Sequence, residues 1–81
     1  MSDRVGQLFF IDHGSGHVSY RLVVGSQPGF SGPPLWQVVV FSHHARGPAS
    51  RVDGSRLLSE SELLYWDQMA ALQGSNISRV L

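Results

Sequence analysis

The chain has 81 residues, which is enough for one domain with one hydrophobic core. Six arginines balance six acidic residues, and lysine and cysteine are both absent. This composition excludes disulfides, thiolate metal sites, cysteine nucleophiles and lysine-based catalysis, and it gives no global field that would draw the chain to nucleic acid or an anionic membrane. No secretory leader and no run of about 18 apolar residues is visible, so we expect a cytoplasmic protein with no membrane partner.

The first two apolar runs predict β-strands. Residues 5–11 (VGQLFFI) are rich in strand-forming residues, and residues 17–24 (HVSYRLVV) alternate between apolar and polar side chains. Val18, Tyr20, Leu22 and Val24 therefore share one face of the second strand. The segment DHGSG between the two runs contains two glycines, which is typical of a hairpin turn.

Two further connections flank a third strand, predicted at residues 35–42. Residues 25–34 hold six glycines or prolines and cannot form regular structure. Phe30 is isolated in this connection and either folds back on the core, which is the favoured alternative, or is presented to a partner. After the third strand, residues 43–56 read as a polar loop with three of the six arginines: Arg46, Arg51 and Arg56.

A helix over residues 59–73 follows. Ser59 and Glu62 have the spacing of a capping box, and Gly74 is a suitable residue for the C-terminal end. At 100° per residue, one half of the helix carries Leu63, Tyr65, Trp66, Met69, Ala70 and Leu72, and the other half carries Glu60, Asp67 and Gln68. We expect the apolar half to pack on the sheet. The tail, residues 75–81, either adds a fourth strand or frays.

An antiparallel meander would gather five potential metal ligands at one end of the sheet: Asp12, His13, His17, His43 and His44. Imidazoles and a carboxylate can hold a divalent transition metal. Their spacing matches no established ligand motif, however, and polar residues at strand ends are the simpler explanation. We therefore predict no metal or other cofactor, and we keep a histidine-site metal-binding protein as an alternative. A catalytic group around Ser15 is disfavoured because its spacing does not fit a nucleophile elbow.

The most informative feature is that two strands are apolar on both faces. In the third strand Trp36, Val38 and Val40 lie opposite Leu35, Val39 and Phe41. Strands of this kind are covered on both sides, yet a single helix is predicted. The second face is therefore covered by the chain's own loop or by a partner. For a partner we predict contacts from the following residues: Phe30, Leu35, Val39, Phe41, Arg46 and Arg51.

These patterns predict an α+β domain spanning residues 1–81, with a small antiparallel sheet of three to four strands in β-β-β-α order and one C-terminal helix. The predicted function is a non-enzymatic protein-binding module that occupies a partner surface. An inhibitor or adaptor fits this profile, including the anti-CRISPR type that phages and mobile elements direct at host defence complexes. The partner is another protein or protein complex, with a homodimer as a further possibility. The less favoured alternative is a nucleic-acid-binding module that uses the Arg-rich loop 43–56.

Overall fold

The computed structural model describes residues 4–44 and 51–81, apart from the side chains of His44 and Arg51. Within these residues the chain forms five strands and one helix: β1 (Leu8–Gly14), β2 (His17–Gln27), β3 (Leu35–His44), β4 (Arg51–Leu58), α1 (Glu60–Ala71) and β5 (Ile77–Arg79). The strands make one sheet in the order β4-β3-β2-β1-β5, and all neighbouring strands are antiparallel.

The α+β class and the antiparallel meander of β1, β2 and β3 agree with the sequence-based expectation, whereas the number of strands does not. The C-terminal segment forms β5, which pairs with β1 from Phe9 to Ile11. The predicted loop 43–56 is wrong over residues 43–44, which belong to β3, and over residues 51–56, where β4 pairs with β3. Asp53 and Gly54 have low intrinsic preference for strands, and pairing with the long β3 overrides that preference.

The segment DHGSG is a hairpin turn. β1 extends to Gly14 and β2 starts at His17, so Ser15 and Gly16 alone form the reversal. Both have positive φ, 56° and 79°, as in a type I′ turn. The Gly14 amide donates to Oδ1 of Asp12 at 2.8 Å, which is a local turn contact. The turn chemistry thus accounts for the two glycines and for the Asp12 carboxylate.

The core lies between the sheet and α1. Phe9, Val23, Val38 and Leu63 are fully buried, and the Phe9 and Trp66 rings meet edge to face at 5.4 Å. Ile11, Trp36 and Ile77 complete this cluster, with Met69 and Ala70 packed partly against it. Fully burying an apolar side chain of this size stabilises the fold by about 1.5–3 kcal/mol. The core is therefore the main source of stability.

The helix begins as the sequence predicts but presents a narrower apolar stripe. Ser59 is the N-cap, and its Oγ accepts from the Glu62 amide at 3.3 Å. The helix ends at Ala71, two residues before the expected end. Tyr65 and Leu72, predicted to pack on the sheet, are 56% and 59% exposed, because α1 meets the sheet mainly along the line of Leu63, Trp66 and Met69.

Arg4 fastens the N-terminal segment to the helix. The side chain is buried, and its Nε donates to both carboxylate oxygens of Glu60, at 2.9 and 2.8 Å. Its Nη2 lies 2.9 Å from Asp67, and Trp36 donates to Glu60 at 3.3 Å. Glu60 and Asp67, which the helical pattern places away from the apolar half, are therefore ion-pair partners of a buried arginine. The hydrogen bond from Arg4 lowers the pKa of Glu60, and the same contact raises the pKa of Arg4.

Candidate functional site: the open face of the sheet

The sheet has two faces with different surroundings. We call the side that packs against α1 the covered face and the opposite side the open face. Residues directly opposite each other in neighbouring strands share a face, so the register assigns each side chain to one side. Phe9, Val23 and Val38 lie on the covered face, and their sequence neighbours Leu8, Leu22 and Val39 lie on the open face.

Apolar side chains run across the open face in rows. One row joins Phe10, Tyr20, Phe41 and Val52 on four consecutive strands. The Phe10 and Tyr20 rings meet edge to face at 5.2 Å. Including the adjacent rows, the apolar residues of this face are Leu8, Phe10, Val18, Tyr20, Leu22, Leu35, Val39, Phe41, Val52 and Leu57. The open face therefore carries one unbroken apolar row over four strands, with further apolar side chains on both sides of the row and polar residues at Gln37 and Ser55.

No described element lies over this surface. The helix contacts the other side, through Phe9 and Trp66 and through Trp36 and Glu60. All ten apolar residues of the open face are at least partly exposed, and Val52 is 61% exposed. The sequence predicts either the chain's own loop or a partner over this face. No loop covers it within the described residues, and residues 45–50 lie outside them.

The structure places three of the six predicted contact residues together. Leu35, Val39 and Phe41 share the open face, as the alternation in β3 predicts. Phe30 is fully exposed in the connection between β2 and β3, so the favoured expectation that it folds back on the core is wrong. Arg46 and the side chain of Arg51 lie outside the described residues.

The described arginines are separate from the open face. Arg21, Arg56 and Arg79 pair with Phe9, Val38 or Val40, which places them at covered-face positions, and Arg4 is buried beside α1. Among the described side chains, no cation lies on the open face. The apolar surface and Arg56 therefore lie on opposite sides of the sheet.

Four of the five potential metal ligands lie at one end of the sheet, but they divide between its two faces. His43 and Asp12 both flank Val18, which places them on the open side. His13 is on the covered side, where its Nε2 lies 2.8 Å from Ser19 Oγ and its ring stacks on His17 at 4.6 Å. The described residues contain no group of three His, Asp or Glu side chains suited to a metal ion, and the His44 side chain lies outside that description.

Phe10, Tyr20 and Leu22 belong to the open face although they are not among the predicted contact residues. The alternation of β2 already places Tyr20 and Leu22 on one face, and the apolar character of β1 on both sides includes Phe10. The sequence does not give the register of the strands. Tyr20 lies opposite Phe41 because of how β2 pairs with β3, and the pattern of a single strand does not contain that pairing.

No helix in the described part of the chain combines the length and the apolar character needed to cross a lipid bilayer. Comparisons with known proteins gave no match of any kind: no family model, no curated protein and no solved structure is similar to this chain at a significant level.

Proposed function

We propose that this protein is a non-enzymatic binding module that occupies an apolar surface of another protein with the open face of its sheet. The observation that carries the proposal is the apolar surface of the open face, which has an unbroken row of apolar side chains over four strands and no described segment above it. Water contact with so much aliphatic and aromatic surface is unfavourable, and a protein partner removes it. Occupation of a partner surface is how a stoichiometric inhibitor or an adaptor acts.

The chemistry of the open face defines the partner. The aromatic residues Phe10, Tyr20 and Phe41 form its centre, and aliphatic residues surround them. Because the described cations all lie on the other side, the described part of this face offers no positive charge to phosphates or anionic lipid headgroups. The expected partner surface is flat, uncharged and apolar. Edge-to-face and aliphatic contacts with Phe41 would supply most of the binding free energy.

The experiment compares Phe41→Asp with Tyr65→Asp, which introduces the same charge on the exposed side of α1. Tagged variants are expressed in native cells, and retained proteins are quantified by mass spectrometry. The partner is then purified and mixed with each variant. We expect the wild type and Tyr65→Asp to bind it one to one, Phe41→Asp to lose at least about tenfold in affinity, and hydrogen exchange to slow in β1–β3 on binding.

Equal binding by Phe41→Asp and Tyr65→Asp contradicts the proposal. Analytical ultracentrifugation of the pure protein tests whether a second copy of the chain covers the open face. A dimer that Phe41→Asp dissociates would assign the face to a second copy and contradict the proposal of a different protein partner. If Phe41→Asp does not fold, Val52→Asp replaces it, because Val52 lies in the same row and is mostly exposed, so that its substitution leaves the core intact.

A further inference from the structure

A cleft on the covered face, at the end of the sheet near the β1–β2 turn, is independent of the open face. It has a volume of about 230 Å³, and its polar lining includes His13, His17, Ser19, Arg21 and Arg56. Two guanidinium groups, two imidazoles and a hydroxyl thus surround one space. Asp53 is the single carboxylate among the described lining residues.

The register explains why the cleft exists. Arg21 pairs with Val40, and Val40 pairs with Gly54, so these three residues form one row across β2, β3 and β4. Gly54 has no side chain, and a Cβ built there would meet no atom within 4 Å. The covered face of the sheet therefore has an empty space in the row that contains Arg21. The φ of Gly54 is +132°, which favours glycine at this position, and the absence of a side chain keeps the space open.

Arg21 is held in place but is electrostatically unsatisfied. Its guanidinium lies 4.8 Å from the centre of the Trp66 ring, a cation–π contact that fixes its orientation. Its Nε is buried without a hydrogen-bond partner among the described residues. Burial lowers the pKa of Arg21, and the like charge of Arg56 lowers it further. A partly buried cation beside another cation is stabilised by an additional anion.

His13 and His17 form the other wall. Their rings are stacked at 4.6 Å with an angle of 24° between planes, and His13 is fixed by its 2.8 Å contact with the buried Ser19 hydroxyl. His13 and His17 line the cleft from β1 and β2, and Arg21 and Arg56 line it from β2 and β4. This arrangement matches a tetrahedral anion, which accepts hydrogen bonds in several directions, better than a planar carboxylate, which one arginine satisfies with two parallel bonds.

We propose that this cleft binds a phosphoryl group, either as free phosphate or as the phosphate of a small monoester, with Arg21 and Arg56 as its charged donors. The volume of the cleft is several times the roughly 30 Å³ occupied by a water molecule in the liquid, so it admits the phosphoryl group and part of an attached organic group. Because the cleft and the open face lie on opposite sides of the sheet, binding at one is independent of binding at the other.

The test is an amide-shift titration of the ¹⁵N-labelled full chain by NMR at constant ionic strength. The probes are inorganic phosphate, adenosine 5′-monophosphate, adenosine and acetate. We expect saturable shifts with the two phosphate probes, centred on residues 13–21 and 54–56, and none with adenosine or acetate. If the nucleotide binds more tightly than phosphate, the ligand of the cleft is a phosphate monoester. If the two bind equally, the cleft recognises the phosphoryl group alone.

Three variants locate the site. Arg56→Ala should weaken phosphate binding by about tenfold or more, because it removes a charge-assisted hydrogen bond. Asp53→Asn should strengthen binding by up to about fivefold, because it removes an exposed like charge beside the anion. Arg79→Ala is the matched control, since Arg79 lies outside the cleft and contacts Asp67 and the Leu81 carbonyl. It should leave phosphate binding unchanged.

The absence of saturable shifts up to about 20 mM phosphate, well above the millimolar range of weak specific ligands, overturns the proposal. So does acetate binding as tightly as phosphate, or an Arg56→Ala variant that behaves like Arg79→Ala. Asp53→Asn keeps the test decisive if Arg56→Ala does not fold. Phe41→Asp should bind phosphate as the wild type does, so failure here is distinguishable from failure of the protein-binding proposal.

Discussion

The two faces of the sheet are nearly equal in apolar character and differ in what lies against them. On β1, Phe9 is fully buried against Trp66, whereas the next residue, Phe10, remains partly exposed beside Tyr20. One helix of 12 residues can shield one side of a five-stranded sheet. The comparison shows that apolar residues on both sides of a strand predict packing on both faces of the sheet. Which face is packed depends on the helices and loops that the chain provides.

The largest expected effect separates two adjacent phenylalanines. Phe9→Ala should destabilise the protein by about 3–5 kcal/mol, because it leaves a cavity under Trp66. Phe10→Ala should cost about 1–2 kcal/mol, because that ring loses mainly its contact with Tyr20. Urea unfolding followed by tryptophan fluorescence measures both values. Equal losses would mean that the open face is as well packed as the covered face, which would remove the basis for a docking surface.

A smaller effect concerns the ion pair that holds α1 on the covered face. The hydrogen bond from Arg4 lowers the pKa of Glu60, so this contact stabilises the fold above the ordinary glutamate pKa. The stabilisation is lost as the pH falls through the lower value of the folded state. Glu60→Gln should therefore be less stable than the wild type at pH 7, and the difference should shrink by about pH 3.

Urea denaturation at both pH values tests the Glu60 prediction. Glu62→Gln is the matched control, because Glu62 is exposed and bonds to Ser59 rather than to Arg4. The free energy of unfolding of this control should still fall at low pH, because Glu60 is unchanged. A constant difference between Glu60→Gln and the wild type from pH 7 to pH 3 would show that the Arg4 contact does not couple folding to protonation.

The smallest effect is expected at the margin of the open face. Val52→Thr should change stability by less than about 0.5 kcal/mol, because Val52 is 61% exposed. It should also reduce the binding of an apolar dye such as anilinonaphthalene sulfonate. Chemical denaturation and dye fluorescence test this pair of effects. A loss of more than about 1 kcal/mol would indicate that part of the same chain packs on Val52.

Much of the fold is visible in the sequence. Alternation predicts β2 and β3 and places Leu35, Val39 and Phe41 on one face, and the spacing of Ser59 and Glu62 predicts the start of α1. These features depend on neighbours within one element, so local rules suffice. β4 is different: Asp53, Gly54 and Arg56 interrupt its pattern, and its strand conformation depends on pairing with β3.

The sites are less visible than the fold. The sequence brings Asp12, His13, His17 and His43 to one end of the sheet, yet their division between two faces depends on the irregular register between Asp12 and Gly14. The contact of Arg21 with Trp66 joins residues 45 positions apart in the chain. Neither the cleft beside Gly54 nor the Arg4–Glu60 pair has a local signal, because each joins separate elements.

Residue order alone established one small α+β domain, free of thiol and lysine chemistry, with strands that are apolar on both sides and a capped C-terminal helix. The folded molecule decided which side α1 covers, how β4 and β5 extend the sheet, and where Arg21 and Arg56 meet. The physical reason is range. Periodicity, turns and caps are set by residues a few positions apart, whereas packing, strand register and charge clusters are set by residues that only folding brings together.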